Sequence, residues 1–212
     1  MHHDSSVQVD APENASLSEI TAAVKKRIRW IATHVEQAES AKRNVLKRDY
    51  VSGETHFFLG KQYVLKVFVR KRKLESVKLL RGKLEIVTRS PEPDYVKSLL
   101  DAWYLEKANK LLSKRLEAIT DEIHWVKNQP PLKMRAMKKQ WGSCSPKGVI
   151  SLNPMLIKAP RECVDYVIAH ELCHLKEHNH SKKYYRLLER TFPEWKATKA
   201  RLDGMSELLL NQ

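Results

Sequence analysis

An α+β fold is predicted for this chain of 212 residues. Helices toward both ends should flank an antiparallel β-rich region, the first of them an N-terminal helix. Three observations predict it. Apolar residues recur at three- and four-residue spacing over long stretches toward both ends. Between Tyr50 and Thr88 the pattern changes to short β-branched and aromatic runs separated by glycine turns. Val164 to Ala169 then forms an apolar helical lead-in to His170-Glu171-Leu172-Cys173-His174.

In chain order, residues 1–16 are polar, with Pro12 and Asn14, and read as a disordered tail. Residues 17–48 read as an N-terminal helical extension. Ser16 or Ser18 can cap a helix through about Ala41, whose apolar positions Ile20, Val24, Ile28, Ile31 and Val35 keep helical spacing. Residues 49–90 read as the β-rich part, with strands at 55–59, 63–69 and 84–87. Turns at Gly60-Lys61 and Arg81-Gly82-Lys83 suggest antiparallel pairing. Residues 91–212 read as the helical and catalytic part. After Pro91-Glu92-Pro93 a helix is expected over 94–123, carrying Leu99, Leu100, Trp103, Tyr104, Ala108, Leu111, Leu112 and Leu116 at three- and four-residue spacing. Strands are expected at 132–137 and 149–153, joined by a loop at 140–148, with 149–153 the candidate sheet edge. Pro160 can start a helix over 161–175. Asn179 or Ser181 can cap another over 182–191, and Pro193 separates it from a last helix toward Leu210.

The formal charge of +14 is the main compositional signal. Ten Lys or Arg fall between Lys61 and Arg89 against Glu75 and Glu85 alone, a field that would attract nucleic acid or acidic protein surfaces. No apolar run is long enough to span a membrane, and the residues after Met1 lack the apolar core of a secretory signal. The odd set Cys144, Cys163 and Cys173 argues against a disulfide framework and for a cytoplasmic setting, with Cys163 and Cys173 as packing residues.

His170 and His174 are four apart, so on a helix their imidazoles share a face and can grip one ion. Glu171 follows the first His. This is the zincin arrangement of two His ligands and a Glu that takes a proton from metal-bound water. A third ligand is needed, and the candidates are His178 and His180. On a straight helix His178 would lie about 12 Å along the axis from His170, too far for one ion. The chain must therefore turn after His174, with Asn179 suited to the turn, and His180 is favoured. Glu162 and Asp165 could orient an imidazole, and Tyr184, Tyr185 and Arg186 could stabilise an oxyanion. The His170-to-His180 spacing also fits the metzincin pattern, but Glu177 replaces its turn glycine and Met205 follows Gly204 in a helical tail.

The run from Gln140 to Tyr185 resembles the YgjP-like metallopeptidases, zincins related to the SprT-like proteases. The resemblance rests on Trp141-Gly142-Ser143-Cys144-Ser145, Gly148 to Asn153, His170 to Leu175, and Asn179-His180-Ser181. With Tyr50 to Thr55 and Leu59-Gly60 it extends over residues 49 to 195. It implies an α+β fold with the active-site helix packed on a small mixed sheet, and Zn2+ held by His170, His174 and His180, with Glu171 as general base for peptide hydrolysis. Trp141, Asn153 and Tyr184 are the candidate substrate-binding residues, and the expected partner is a peptide or protein substrate. Two alternatives remain open. One is a nucleic-acid-associated protein acting through Lys61–Arg89, either as a DNA-guided protease or as a binding module. The other is a closed, structural zinc site with His178 as fourth ligand.

Overall fold

The computed structural model describes residues 9, 11, 16–33, 35 and 48–210, the side chain of Glu207 excepted. They fall into two units, Met1–Lys47 and Arg48–Gln212. Most of the tail over 1–16, and the end of the first helix toward Ala41, lie outside the described residues.

In the first unit, α1 (Leu17–Lys26) begins at a capping box. The Ser16 side chain accepts the Glu19 backbone N–H, and the Ser16 N–H donates to Glu19 Oε2 at 2.9 Å. Ser16 is therefore the cap. Arg27 departs from helical angles, and helical backbone resumes over 28–33.

The second unit is α+β. Its first sheet holds β1 (Thr55–Phe58), β2 (Lys61–Val69), β3 (Ser76–Leu80) and β4 (Lys83–Thr88) in the order β1-β2-β4-β3. The turns after β1 and β3 use positive φ at Leu59-Gly60 and Arg81-Gly82, the backbone that two-residue hairpins require. The expected all-antiparallel pairing is corrected here, because β2 and β4 run parallel, with Leu65 opposite Leu84 and Val67 opposite Ile86. The cause is β3, which the sequence reading missed. It reverses the chain once more before β4, so β4 returns in the direction of β2 and β3 takes the outer edge. Leu65, Leu84 and Ile86 supply the buried face.

The helix α2 (Pro93–Glu122) starts with a proline in its first turn, where the missing N–H costs nothing. Its buried stripe runs Val96, Leu100, Trp103, Tyr104, Ala108, Leu112 and Leu116. This stripe packs on the sheet residues and on the catalytic half, giving one continuous core.

The second sheet is small and mixed, with β5 (Leu132–Met134), β6 (Gly142–Cys144) and β7 (Ile150–Leu152) in the order β5-β7-β6. The segment 149–153 was expected to be an edge. Instead β7 is central, parallel to β5 and antiparallel to β6. The edge next to α3 (Arg161–Cys173) is β6, which forms inside the expected loop. Nearly every side of α3 is buried. Ser181 caps α4 (Lys182–Thr191), and α5 (Trp195–Leu210) closes the chain.

A 3-10 turn (Pro154–Lys158) links the two sheets. Leu59 N donates to the Ile157 carbonyl at 2.7 Å, and Gly60 N to that of Lys158 at 3.0 Å. Gly60 has φ +76, and a Cβ there would stand 2.9 Å from Pro160 Cγ, at the start of α3. A Gly60→Ala substitution is therefore expected to cost about 1–3 kcal/mol from strain and overpacking, read as a lower urea midpoint with an unchanged slope. An unchanged midpoint would show that this contact yields freely.

Candidate metal centre and cleft

The geometry starts with α3. Its apolar faces lock the helix into the core, which fixes the ring positions of His170 near its end and His174 at its C-cap. The chain then leaves the helix. The N–H of Glu177 bonds to the Cys173 carbonyl, and that of Ser181 to the Asn179 carbonyl at 2.7 Å. This turn brings His180 back over the helix. His180 Nε2 lies 3.2 Å from His174 Nε2 and 3.2 Å from His170 Nε2. His178 is exposed and outside this group.

Such spacing is poor for neutral imidazoles alone. His174 Nδ1 lies 3.1 Å from the Glu177 carbonyl, so a proton there leaves Nε2 as a lone pair facing its neighbours. Two nitrogens bound to one tetrahedral ion at 2.0–2.1 Å would be about 3.3 Å apart, close to what the imidazoles show. The three residues therefore fit a divalent cation, and the second ring nitrogen of His174 has the backbone acceptor that metal-ligating His residues commonly use.

Electrostatics agree. Burial, followed by the neighbouring His174, His180 and Lys199, pushes His170 down to about 3. Burial also lowers His174. Both rings are thus kept in the neutral, ligating form. Glu171 is 5% exposed, and burial raises its carboxyl to about 8.

Tyr184 underlies the cluster. It is fully buried, its hydroxyl donates to the His170 carbonyl at 3.1 Å, and its ring stacks on His174 at 4.6 Å between centroids. Asn153 is also enclosed. Its Nδ2 donates to the carbonyls of Met137 and Gln140, and its Oδ1 accepts the Met155 N–H. Neither side chain presents its polar atoms to the cleft. Trp141 does line it, anchored by an indole N–H bond to Ser206 Oγ at 3.1 Å. The carboxylates thought able to orient an imidazole are engaged elsewhere: Asp165 with Arg115 and Glu162 with Arg201. Arg186 faces a separate cavity, and Tyr185 stacks on Trp195 and His180.

The cleft beside His170 and Glu171 has a volume of about 220 Å³, with Trp141 and Gly142 on one wall and Lys199 and Asp203 on another. Lys199 and Asp203 form an ion pair four residues apart on α5. The sequence reading missed them, because nothing in a helical i, i+4 pair says that it faces a site. Gly142 is the tightest point. A Cβ there would stand 2.7 Å from Glu171 Oε1 and 2.8 Å from its Cγ.

A centre of three imidazoles with an adjacent buried carboxylate, set in this α+β frame, is that of a metallopeptidase. The family match agrees: the chain matches the YgjP-like, metallopeptidase domain family over residues 1–205 and belongs to it. Among solved structures it is similar to the metallopeptidase zymogen abylysin of Pyrococcus abyssi, with 28% identity, a TM-score of 0.41, and coverage of 46% of this chain and 95% of that one. It is also similar to the zymogen jannalysin of Methanocaldococcus jannaschii, with 23% identity, a TM-score of 0.39, and coverage of 46% and 96%. No curated protein matches. Membership in the family implies a metal and a peptide or protein substrate. No helix among the described residues is long and apolar enough to cross a membrane.

Proposed function

We propose that this chain is a zinc-dependent peptidase in which His170, His174 and His180 hold the ion and Glu171 is the general base. The observation that carries this reading is the convergence of three imidazole nitrogens beside a buried carboxylate. When bound, zinc supplies Lewis-acid chemistry, acidifying a water and polarising the scissile carbonyl. Glu171 accepts the water's proton on a carboxylate oxygen and returns it to the departing amine nitrogen. The cation's charge offsets the burial that otherwise keeps this carboxyl protonated. Gly142 leaves room for the carboxylate. The outer backbone of β6 offers an edge against which an extended substrate can pair, with Trp141 shielding that wall.

In this reading Asn153 and Tyr184 build the site without touching substrate. Asn153 holds the chain leading into Trp141, and Tyr184 supports the three rings. The cytoplasm is the proposed setting, in keeping with three free cysteines. Nucleic-acid contact remains a second reading, favoured by the exposed cations along Lys61–Arg89. Affinity for DNA that stays flat as salt rises would contradict it.

Metal analysis tests the ligand set. The purified protein is expected to carry about one zinc per chain, the count a single His-ligated site implies. His174→Ala and His180→Ala should each lose zinc together with hydrolysis of an unfolded protein such as casein. Full zinc retention in either variant would remove that residue from the ligand set.

A further inference from the structure

Three further concavities of the second unit lie away from the His cluster. A cavity of about 590 Å³ runs between α2, α3 and α4. It shares Arg115 and Asp165 with a second of about 300 Å³. At its other end it shares Lys176, Leu187 and Arg190 with a third of about 220 Å³. The three form one groove along α3. Asp165 and Ala169 face it, five and one positions before His170 and hence about 140° and 100° around the helix from it. An occupant would therefore leave the imidazoles uncovered.

The floor of the groove is apolar, with Ile119, Ile123 and Ala169 buried and Leu187 and Phe192 half-buried. The rim is cationic. Arg115 is engaged by Asp165. Lys114, Arg161, Lys176, Lys183, Arg186 and Arg190 surround the groove and are all exposed. None has a carboxylate within ion-pair distance among the described residues. Glu122 and Glu177 are the acidic residues left on the walls. A floor of this kind rewards apolar anchors, and the rim selects negative charge around them. A polynucleotide satisfies only the rim. The one indole on the wall, Trp125, has the Lys176 ammonium 5.9 Å from its ring centroid, so a base stacking on that side would have to displace it.

We propose that this groove is an exosite that docks an acidic amphipathic segment of the protein substrate; its role as an exosite rests on the peptidase reading above. The segment would seat apolar side chains against Leu187 and Phe192 and place its carboxylates along the six cations. It would thereby tether substrate behind the catalytic helix, raising the local concentration of the bond to be cut.

The test is fluorescence polarisation on the full chain carrying Glu171→Gln. The probes are a short labelled peptide of Glu, Leu and Phe, the same peptide with Lys for Glu, and a labelled oligothymidylate. The Glu peptide should bind, the Lys peptide should not, and Lys114→Glu with Arg186→Glu and Arg190→Glu should weaken binding by about tenfold or more. Arg190→Lys should retain it, and Arg190→Glu alone covers the case in which the triple variant fails to fold. In active protein the same reversals should leave hydrolysis of a short neutral peptide unchanged. They should raise KM by about tenfold for that peptide fused to the acidic segment. Equal binding of both peptides, indifference to the reversals, or displacement of the Glu peptide by oligothymidylate would each overturn the proposal. Charge-selective binding with no hydrolysis of any substrate would instead overturn the peptidase reading.

Discussion

Glu171→Gln is expected to keep its zinc and lose about 10²–10⁴-fold in kcat, the range a positioned proton-transfer group contributes. Gln has nearly the same shape, so the packing around this 5% exposed side chain should survive, but an amide cannot take a proton. The electrostatics give a second readout on metal-stripped protein. Burial holds the Glu171 carboxyl near 8 in the fold, above its ordinary 4.5. Between those values the folded chain binds the extra proton, so the parent should lose stability as pH rises from about 4.5 to 8 relative to the Gln variant, with a flat difference above that. The parent should accordingly melt below Glu171→Gln at pH 8 and near it at pH 4.5. Equal melting across the range would mean the carboxylate is already well solvated. Undiminished cleavage by the Gln variant would remove Glu171 from the proton path.

Gly142→Ala should also lower activity strongly, although residue 142 ligates nothing in this account. The added methyl would meet Glu171 Oε1 at 2.7 Å, Cγ at 2.8 Å and Cδ at 3.0 Å. The Cγ contact lies close to the helix backbone and cannot be relieved at the free end of the side chain alone, so the carboxylate would be pushed from its place beside His170. A displacement of about 1 Å at a reacting group costs on the order of 10²-fold, so kcat should fall by about that factor while zinc content holds. The two substitutions act on one atom group and should not add: in a Glu171→Gln background, Gly142→Ala should lower activity little further. Independent losses would show that Gly142 acts through β6 and substrate pairing rather than through Glu171.

The local features were legible in the sequence, and the long-range pairings were not. His170 and His174 share a face because of their spacing alone, and the need for a turn before His180 follows from helical rise. The long α2 stripe and the Pro160 start of α3 are likewise local patterns. The parallel pairing of β2 with β4 depended on β3, where Ser76-Val77-Lys78-Leu79 alternates over only four residues before Leu80 breaks the pattern. The central place of β7 depended on β6, three residues that read as loop. Tyr184 and Asn153 look like cleft residues in a linear motif, yet side-chain direction is set by tertiary packing: one points into the helix carrying His170, the other into the turn before Trp141. Lys199 and Asp203 reach the cleft only because α5 folds back onto α3.

The most direct test is the coordination of zinc in the loaded protein, read by anomalous diffraction or X-ray absorption. The account predicts three imidazole nitrogens, from His170, His174 and His180, at about 2.0–2.1 Å with a water completing the tetrahedron. A fourth protein ligand closing that position, or a His180 ring turned away from the ion, would contradict it.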